Sequence, residues 1–92
     1  MKYFDWDEEK NLLLKENRKI SFEEIVFCIV NGQLLDVVTH HIPKKYPDQK
    51  IMIVEVDGYA YIVPFIEKEN VYLLKTIYPS RKATRKYLNK DE

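Results

Sequence analysis

The chain has one cysteine, two glycines and no net charge in 92 residues. Each shortage excludes something. A lone Cys28 cannot close an internal disulfide or supply the cysteine pair of a zinc knuckle, and it fits a reducing compartment. Two glycines, Gly32 and Gly58, leave no glycine-rich loop to cradle the phosphates of a nucleotide. No apolar run approaches the roughly 20 residues of a membrane-spanning helix. The opening Met1-Lys2-Tyr3-Phe4-Asp5-Trp6-Asp7 also lacks the apolar stretch of a signal peptide, so a cytoplasmic protein without a membrane role is expected. Repeats, linkers and low-complexity segments are missing too. A chain of this length makes a single domain, 1–92, that buries only about 60 to 65% of its unfolded surface, so each core side chain counts heavily.

What is present is unevenly spread. Fifteen Lys/Arg balance fifteen Asp/Glu, yet Lys75 to Glu92 holds six cations against Asp91 and Glu92, a local charge of +4 offset by −4 elsewhere. A concentrated positive surface attracts phosphate even on a neutral molecule. Seven tyrosines raise the aromatic share to 13%, which suits a packed fold with an amphipathic surface.

Tyr3 to Trp6 reads as a short strand, and Asp5 followed by Glu8 as a helix start, with the first helix running to about Arg18. Ser21-Phe22-Glu23-Glu24 is a stronger capping signal. The helix it opens carries Phe22, Ile25, Val26 and Ile29 at the 3.6-residue period. Phe27, Cys28 and Val30 widen that stripe until little of the helix looks solvated, and Asn31-Gly32 ends it. Leu34 to Thr39 is a strand, and His40 to Pro47 a loop with two prolines. Ile51 to Val56 and Tyr59 to Ile66 flank Asp57-Gly58, the pair favoured by a type I′ hairpin turn because both positions need positive φ. Glu67 to Asn70 reads as a second turn, Val71 to Ile77 as the last strand, and Ser80 as the cap of a closing helix.

The hairpin turn fixes a register in which Val56 faces Tyr59, Val54 faces Tyr61, Met52 faces Val63 and Ile53 faces Ile62. Carried on, one face holds Tyr59, Tyr61, Phe65, Tyr72 and Tyr78. The other holds Ile51, Ile53, Ile62, Ile66, Leu73, Ile77 and Lys75. Both faces are apolar, so something covers each. The two early helices suit the aliphatic face, which leaves the tyrosine face to the basic helix, a partner chain or bases. Pro64 interrupts this register, since it cannot donate to a ladder and implies a bulge.

Several side chains carry chemistry. Arg81, Lys82, Arg85 and Lys86 pair at i,i+4 into one cationic face suited to a phosphate backbone; the plainer reading is a solvated helix whose charges meet Asp7-Glu8-Glu9. Interleaved tyrosines favour RNA, which is held by stacking plus charge, and Lys44 and Lys45 in the proline loop add cations for it. His40 or His41 could act as a general base or, with Asp36, bind a metal, but no spaced ligand set accompanies them, and neighbouring strand residues point to opposite faces. Lys75 is either a buried catalytic cation or the diagonal partner of Glu55. Tyr78 and Tyr87 either position a phosphate or fill core, and Cys28 reads as an inert buried thiol.

Phe4-Asp5-Trp6-Asp7-Glu8-Glu9-Lys10-Asn11, Ser21-Phe22-Glu23-Glu24 and Ser80-Arg81-Lys82-Ala83-Thr84, in this order across nearly the whole chain, resemble the BrnT family of toxins. The elements read above make an α+β domain, two early helices on a four- or five-stranded, mainly antiparallel sheet closed by a basic helix, and the resemblance implies that this fold is RelE-like. It also implies an endoribonuclease of a type II toxin-antitoxin module, neutralised by a BrnA-type antitoxin in a hetero-oligomer and needing neither metal nor cofactor. Ser80, Arg81, Lys82 and Thr84 occupy the matched motif, and Lys75 stands where family members often carry arginine. Arg81 and Arg85 would then hold the scissile phosphate, with Lys75, His40 or His41 near the proton transfer. The competing expectation is a non-catalytic module that binds protein or RNA with the same surface, alone or as a homo-oligomer.

Overall fold

The computed structural model describes residues 3–40, 42 and 44–89. Its elements run β1 (Tyr3–Trp6), α1 (Glu8–Arg18), α2 (Phe22–Val30), β2 (Leu34–Thr39), β3 (Gln49–Val56), β4 (Tyr59–Lys68), β5 (Val71–Leu74), β6 (Tyr78–Pro79) and α3 (Arg81–Leu88). The architecture is α+β, with a mostly antiparallel open sheet ordered β1-β5-β4-β3-β2, and with β6 paired to β4 beyond the end of β5. Six strands replace the four or five expected. The opening strand joins the sheet in parallel beside β5, and the last strand divides in two.

Local signals explain most boundaries. Asp7, rather than Asp5, caps α1 by accepting the Glu9 N–H (3.1 Å), and Lys19 ends the helix in the left-handed region at φ 57°. Ser21 Oγ accepts the Glu24 N–H (3.1 Å) to start α2. The two helices are then locked together by Asn11, which is fully buried: its Oδ1 accepts the Phe22 N–H (2.8 Å) while its Nδ2 donates to Glu8 (3.2 Å) and Glu23 (2.8 Å). The hydrogen bond from Asn11 is the main reason the Glu23 carboxyl titrates below its ordinary value.

The Asp57-Gly58 turn has both residues at positive φ (52° and 80°) and sets the expected β3–β4 register, from Val56 opposite Tyr59 to Met52 opposite Val63. The second turn is tighter than the sequence suggested. Glu67 and Lys68 extend β4, so only Glu69-Asn70 turns, with Glu69 at φ 51°.

Pro64 has the expected effect. Phe65 opposes Leu74 and Ile62 opposes Tyr78, so β4 advances by three residues while its neighbour advances by four. The extra residue is a bulge at 75–77, held by the Lys75 N–H donating to the Pro64 carbonyl (2.8 Å) and by Arg18 Nη1 donating to the Ile77 carbonyl. This one-residue slip exchanges the faces of Ile77 and Tyr78 relative to an unbroken strand. Ile77 joins the main core, and Tyr78 turns to the Ile62 side.

The helices cover the opposite faces from those expected. Phe22, Ile25, Cys28 and Leu14 pack on Met52, Val54, Val63, Phe65, Leu74 and Ile77, with Tyr61 and Tyr72 at the margin, so α1 and α2 lie over the tyrosine side. The aliphatic side, with Ile51, Ile53, Ala60 and Ile62, receives α3 through Ala83, Tyr87 and Leu88. Nor is α2 buried all round, because Phe27 (66%) and Val30 (73%) face solvent. Both sheet edges carry the same protection. Asp5 Oδ1 takes the Trp6 N–H on β1, and Asp36 Oδ1 takes the Val37 N–H on β2, each at 2.8 Å, so a carboxylate stands where another chain's strand would pair.

Candidate nucleic-acid interface

The α3 face of the sheet is only partly covered, because an eight-residue helix spans less than the sheet beneath it. The helix is fixed first at its start. Ser80 Oγ accepts the Ala83 N–H (3.0 Å), and the Ser80 N–H donates to the Ala60 carbonyl (3.0 Å). Thr84, fully buried, accepts the Ala60 N–H (2.8 Å) and donates to the Ser80 carbonyl (2.8 Å). At its other end the Tyr87 hydroxyl donates to Asp36 Oδ2 (2.7 Å). That hydrogen bond holds the Asp36 carboxyl below its ordinary value and lifts the Tyr87 phenol above its own. Thr84 and Tyr87 therefore serve the seating of the helix, and Ser80 caps it.

The four cations of α3 are exposed and divide into two rows. Lys82 and Lys86 line a cleft of about 340 Å³ with Val38, Ile53, Ile62, Ala83 and Tyr87. Arg81 and Arg85 follow roughly 100° further around the helix, on the flank away from that cleft. The acidic Asp7-Glu8-Glu9 cluster begins α1, which packs on the other face of the sheet.

A second cleft of about 340 Å³ lies on the same face, beyond the Ile62–Tyr78 pair, and is lined by His40, Ile42, Tyr46, Gln49, Pro64, Lys75, Thr76 and Tyr78. The bulge opposite Pro64 makes this meeting possible, since without the slip Tyr78 would point to the closed face. His40 is 8% exposed; its Nδ1 accepts the Ile42 N–H (3.1 Å), and its ring lies 4.6 Å from that of Tyr46. With Nδ1 accepting, the neutral ring carries its proton on Nε2, so in this arrangement His40 is a donor. Lys75 is exposed at the bulge, near Pro64, neither buried nor beside Glu55, which sits opposite Ala60. Lys44 and Lys45 are exposed in the adjoining loop, with Lys45 Nζ 5.5 Å from the Tyr46 ring centre. His41 lies outside the described residues.

Comparison with protein-family models, with curated proteins and with solved structures finds no match. The chemistry of the site must therefore be read from its own side chains.

Of the residues singled out by sequence, His40, Lys75 and Tyr78 converge on one cleft and Lys82 and Lys86 on its neighbour. Tyr46, Gln49 and Thr76 escaped notice. Tyr46 carried a faint signal as the aromatic between two loop prolines, whereas Thr76 reaches the cleft only through a bulge whose position the sequence leaves open. Asp36 and His40 are engaged with protein groups, and no cluster of three metal-ligating side chains occurs among the described residues. Cys28 is buried, and burial first, then the carboxylates of Glu24, Asp57 and Glu55, pushes its thiol above the ordinary value, as an inert core thiol should behave. No described helix is long and apolar enough to cross a membrane.

Proposed function

We propose that this chain is a cytoplasmic, metal-independent endoribonuclease of a toxin-antitoxin module and that RNA lies along the α3 face. The observation carrying this reading is the convergence of cations and aromatics on the partly covered α3 face of the sheet: Lys82 and Lys86 in one cleft, and Lys75, His40, Tyr46 and Tyr78 in the next. In such a reaction a ribose 2′-hydroxyl loses its proton and attacks the adjacent phosphorus. The 5′-oxygen leaves with a proton, giving a 2′,3′-cyclic phosphate. Water takes the 2′-hydroxyl proton, the Lys75 ammonium gives a proton to the leaving oxygen, and the neutral His40 ring donates its Nε2–H as a hydrogen bond to the phosphoryl oxygens on which charge develops. Lys82 and Lys86 hold neighbouring phosphates, while Arg81 and Arg85 on the outer flank strengthen the attractive field. A BrnA-type antitoxin would neutralise the protein by covering this face, with its acids against the α3 cations.

A second reading, RNA binding without cleavage, is favoured by the engagement of His40, whose access is small and whose Nδ1 is already used. One experiment separates the two. Purified protein with total RNA and EDTA should cut, and His40→Ala and Lys75→Ala should each slow cutting at least about tenfold. Intact RNA with folded protein, while a short noncleavable RNA still binds, would establish the binding module. Arg81→Ala and Arg85→Ala should weaken RNA binding, and the wild-type affinity should fall steeply with salt. Both variants should melt within about 0.5 kcal/mol of wild type, because the positions are exposed.

A further inference from the structure

The cleft beyond Tyr78 has a composition that phosphate binding alone does not explain. Its described lining holds three aromatic rings, His40, Tyr46 and Tyr78, one carboxamide, Gln49, one aliphatic hydroxyl, Thr76, and one cation, Lys75, but no carboxylate. The lack of a carboxylate disfavours a metal ion or a basic peptide. Aromatic rings beside a carboxamide suit a flat, polar, neutral ring, and a lysine at the margin suits the phosphate attached to it. The volume, about 340 Å³, sits at the small end of ligand clefts, roughly 300 to 1,000 Å³, and accommodates one nucleoside rather than a duplex.

The cleft is also braced before any ligand arrives. The Tyr46 N–H donates to the Ile42 carbonyl (3.0 Å), the Gln49 N–H to the Tyr46 carbonyl (3.2 Å) and the His40 N–H to the Gln49 carbonyl (3.4 Å). The buried His40 ring backs Tyr46 and holds the Ile42 N–H. Pro64 forms a buried part of the lining, and Tyr46, Gln49, Thr76 and Tyr78 each remain partly exposed. A rigid aromatic platform with an accessible amide is how proteins read a single unstacked base, since stacking accepts any base and the amide distinguishes donor from acceptor edges.

We infer that this cleft is a nucleobase-reading pocket, in which one base of the RNA stacks against Tyr46 and Tyr78 and is selected by the Gln49 carboxamide. The inference rests on the proposed RNA-binding reading and adds to it the source of sequence preference. The probes are the four nucleoside 3′-monophosphates, inorganic phosphate, and short noncleavable single-stranded RNAs differing at one base, each titrated into the full chain and followed by amide shifts. One nucleotide should bind about tenfold more tightly than phosphate, with shifts at Gln49, Thr76 and Tyr78. The RNA containing that base should bind more tightly still. Tyr46→Leu should remove the advantage over phosphate, and Gln49→Ala should level the four bases while leaving stacking. If Tyr46→Leu does not fold, Gln49→Ala decides. Equal binding of all four nucleotides and phosphate, or shifts confined to Lys82 and Lys86, with short RNA still bound, would overturn the pocket and spare the RNA reading. A free nucleotide bound more tightly than any RNA would also overturn it, and silence from every probe would remove both.

Discussion

The two faces of the sheet are built from strands with the same alternation, yet they are finished differently. Beneath α1 and α2 the face is closed, with Phe22, Ile25, Val54, Val63, Phe65 and Ile77 nearly inaccessible. Beneath α3 a shorter helix leaves two clefts, and the polar groups nearby are half-exposed tyrosines, a carboxamide and lysines. The contrast separates the jobs. One face supplies the burial that offsets chain entropy in a small domain, so the other can keep apolar and cationic surface available to a ligand.

The largest effect should come from breaking the closed face. Phe22 is fully buried, its N–H is held by Asn11, and its ring stacks on Trp6 at 5.6 Å. Phe22→Ala should lose about 3 to 5 kcal/mol. For a domain of this size, stability totals of about 5 to 15 kcal/mol make that loss close to unfolding. Urea denaturation should show a sharply lowered midpoint, with RNA binding lost only as the fold is lost. A small shift would mean that the closed face does not carry the stability assigned to it.

A middle effect is expected at the anchor of the open face. Thr84→Val keeps the shape but strands the Ala60 N–H, which then lies buried without an acceptor. The loss should be about 1 to 3 kcal/mol. At roughly 4 to 8 °C per kcal/mol in a domain this small, melting should fall visibly. Because α3 carries Lys82 and Lys86, RNA affinity should fall at temperatures where the domain is still folded. Unchanged melting would show that the helix is seated by Ala83, Tyr87 and Leu88 alone.

The sequence made the register legible and the coverage illegible, for physical reasons. Asp57-Gly58 dictates its own turn, since positive φ at both positions is satisfied by few residue pairs, and every β3–β4 pairing follows from it. Ser21 and Ser80 likewise mark their helices because their hydroxyls accept from the third residue on. Which helix lies on which face depends instead on how chain connections cross the sheet, and two apolar faces give composition nothing to distinguish. The bulge at Pro64 was foreseeable as an event. Its size, one residue, was not, and that residue decides whether Tyr78 faces core or cleft. The convergence of His40, Lys75 and Tyr78 thus depends on the least readable part of the strand pattern.

The smallest effect tests how the far end of α3 is tied to the sheet edge. Asp36 accepts both the Val37 N–H and the Tyr87 hydroxyl, so one carboxylate protects β2 and holds the helix. The Tyr87 hydrogen bond keeps the Asp36 carboxyl below its ordinary 3.8 in the folded state. A carboxyl lowered by folding adds stability above its unfolded value, and that contribution disappears as pH falls through the folded value. The Tyr87 phenol, raised above 10.0 by the same bond, adds stability below that pH and loses it as pH climbs through the raised value. Tyr87→Phe should therefore melt slightly below wild type at neutral pH. The gap should close as acid takes pH below 3.8 and again as alkali takes it beyond 10.0. A gap that stays constant across this range would mean that Tyr87 holds α3 by packing alone, and that the β2 edge and the cationic helix are independent.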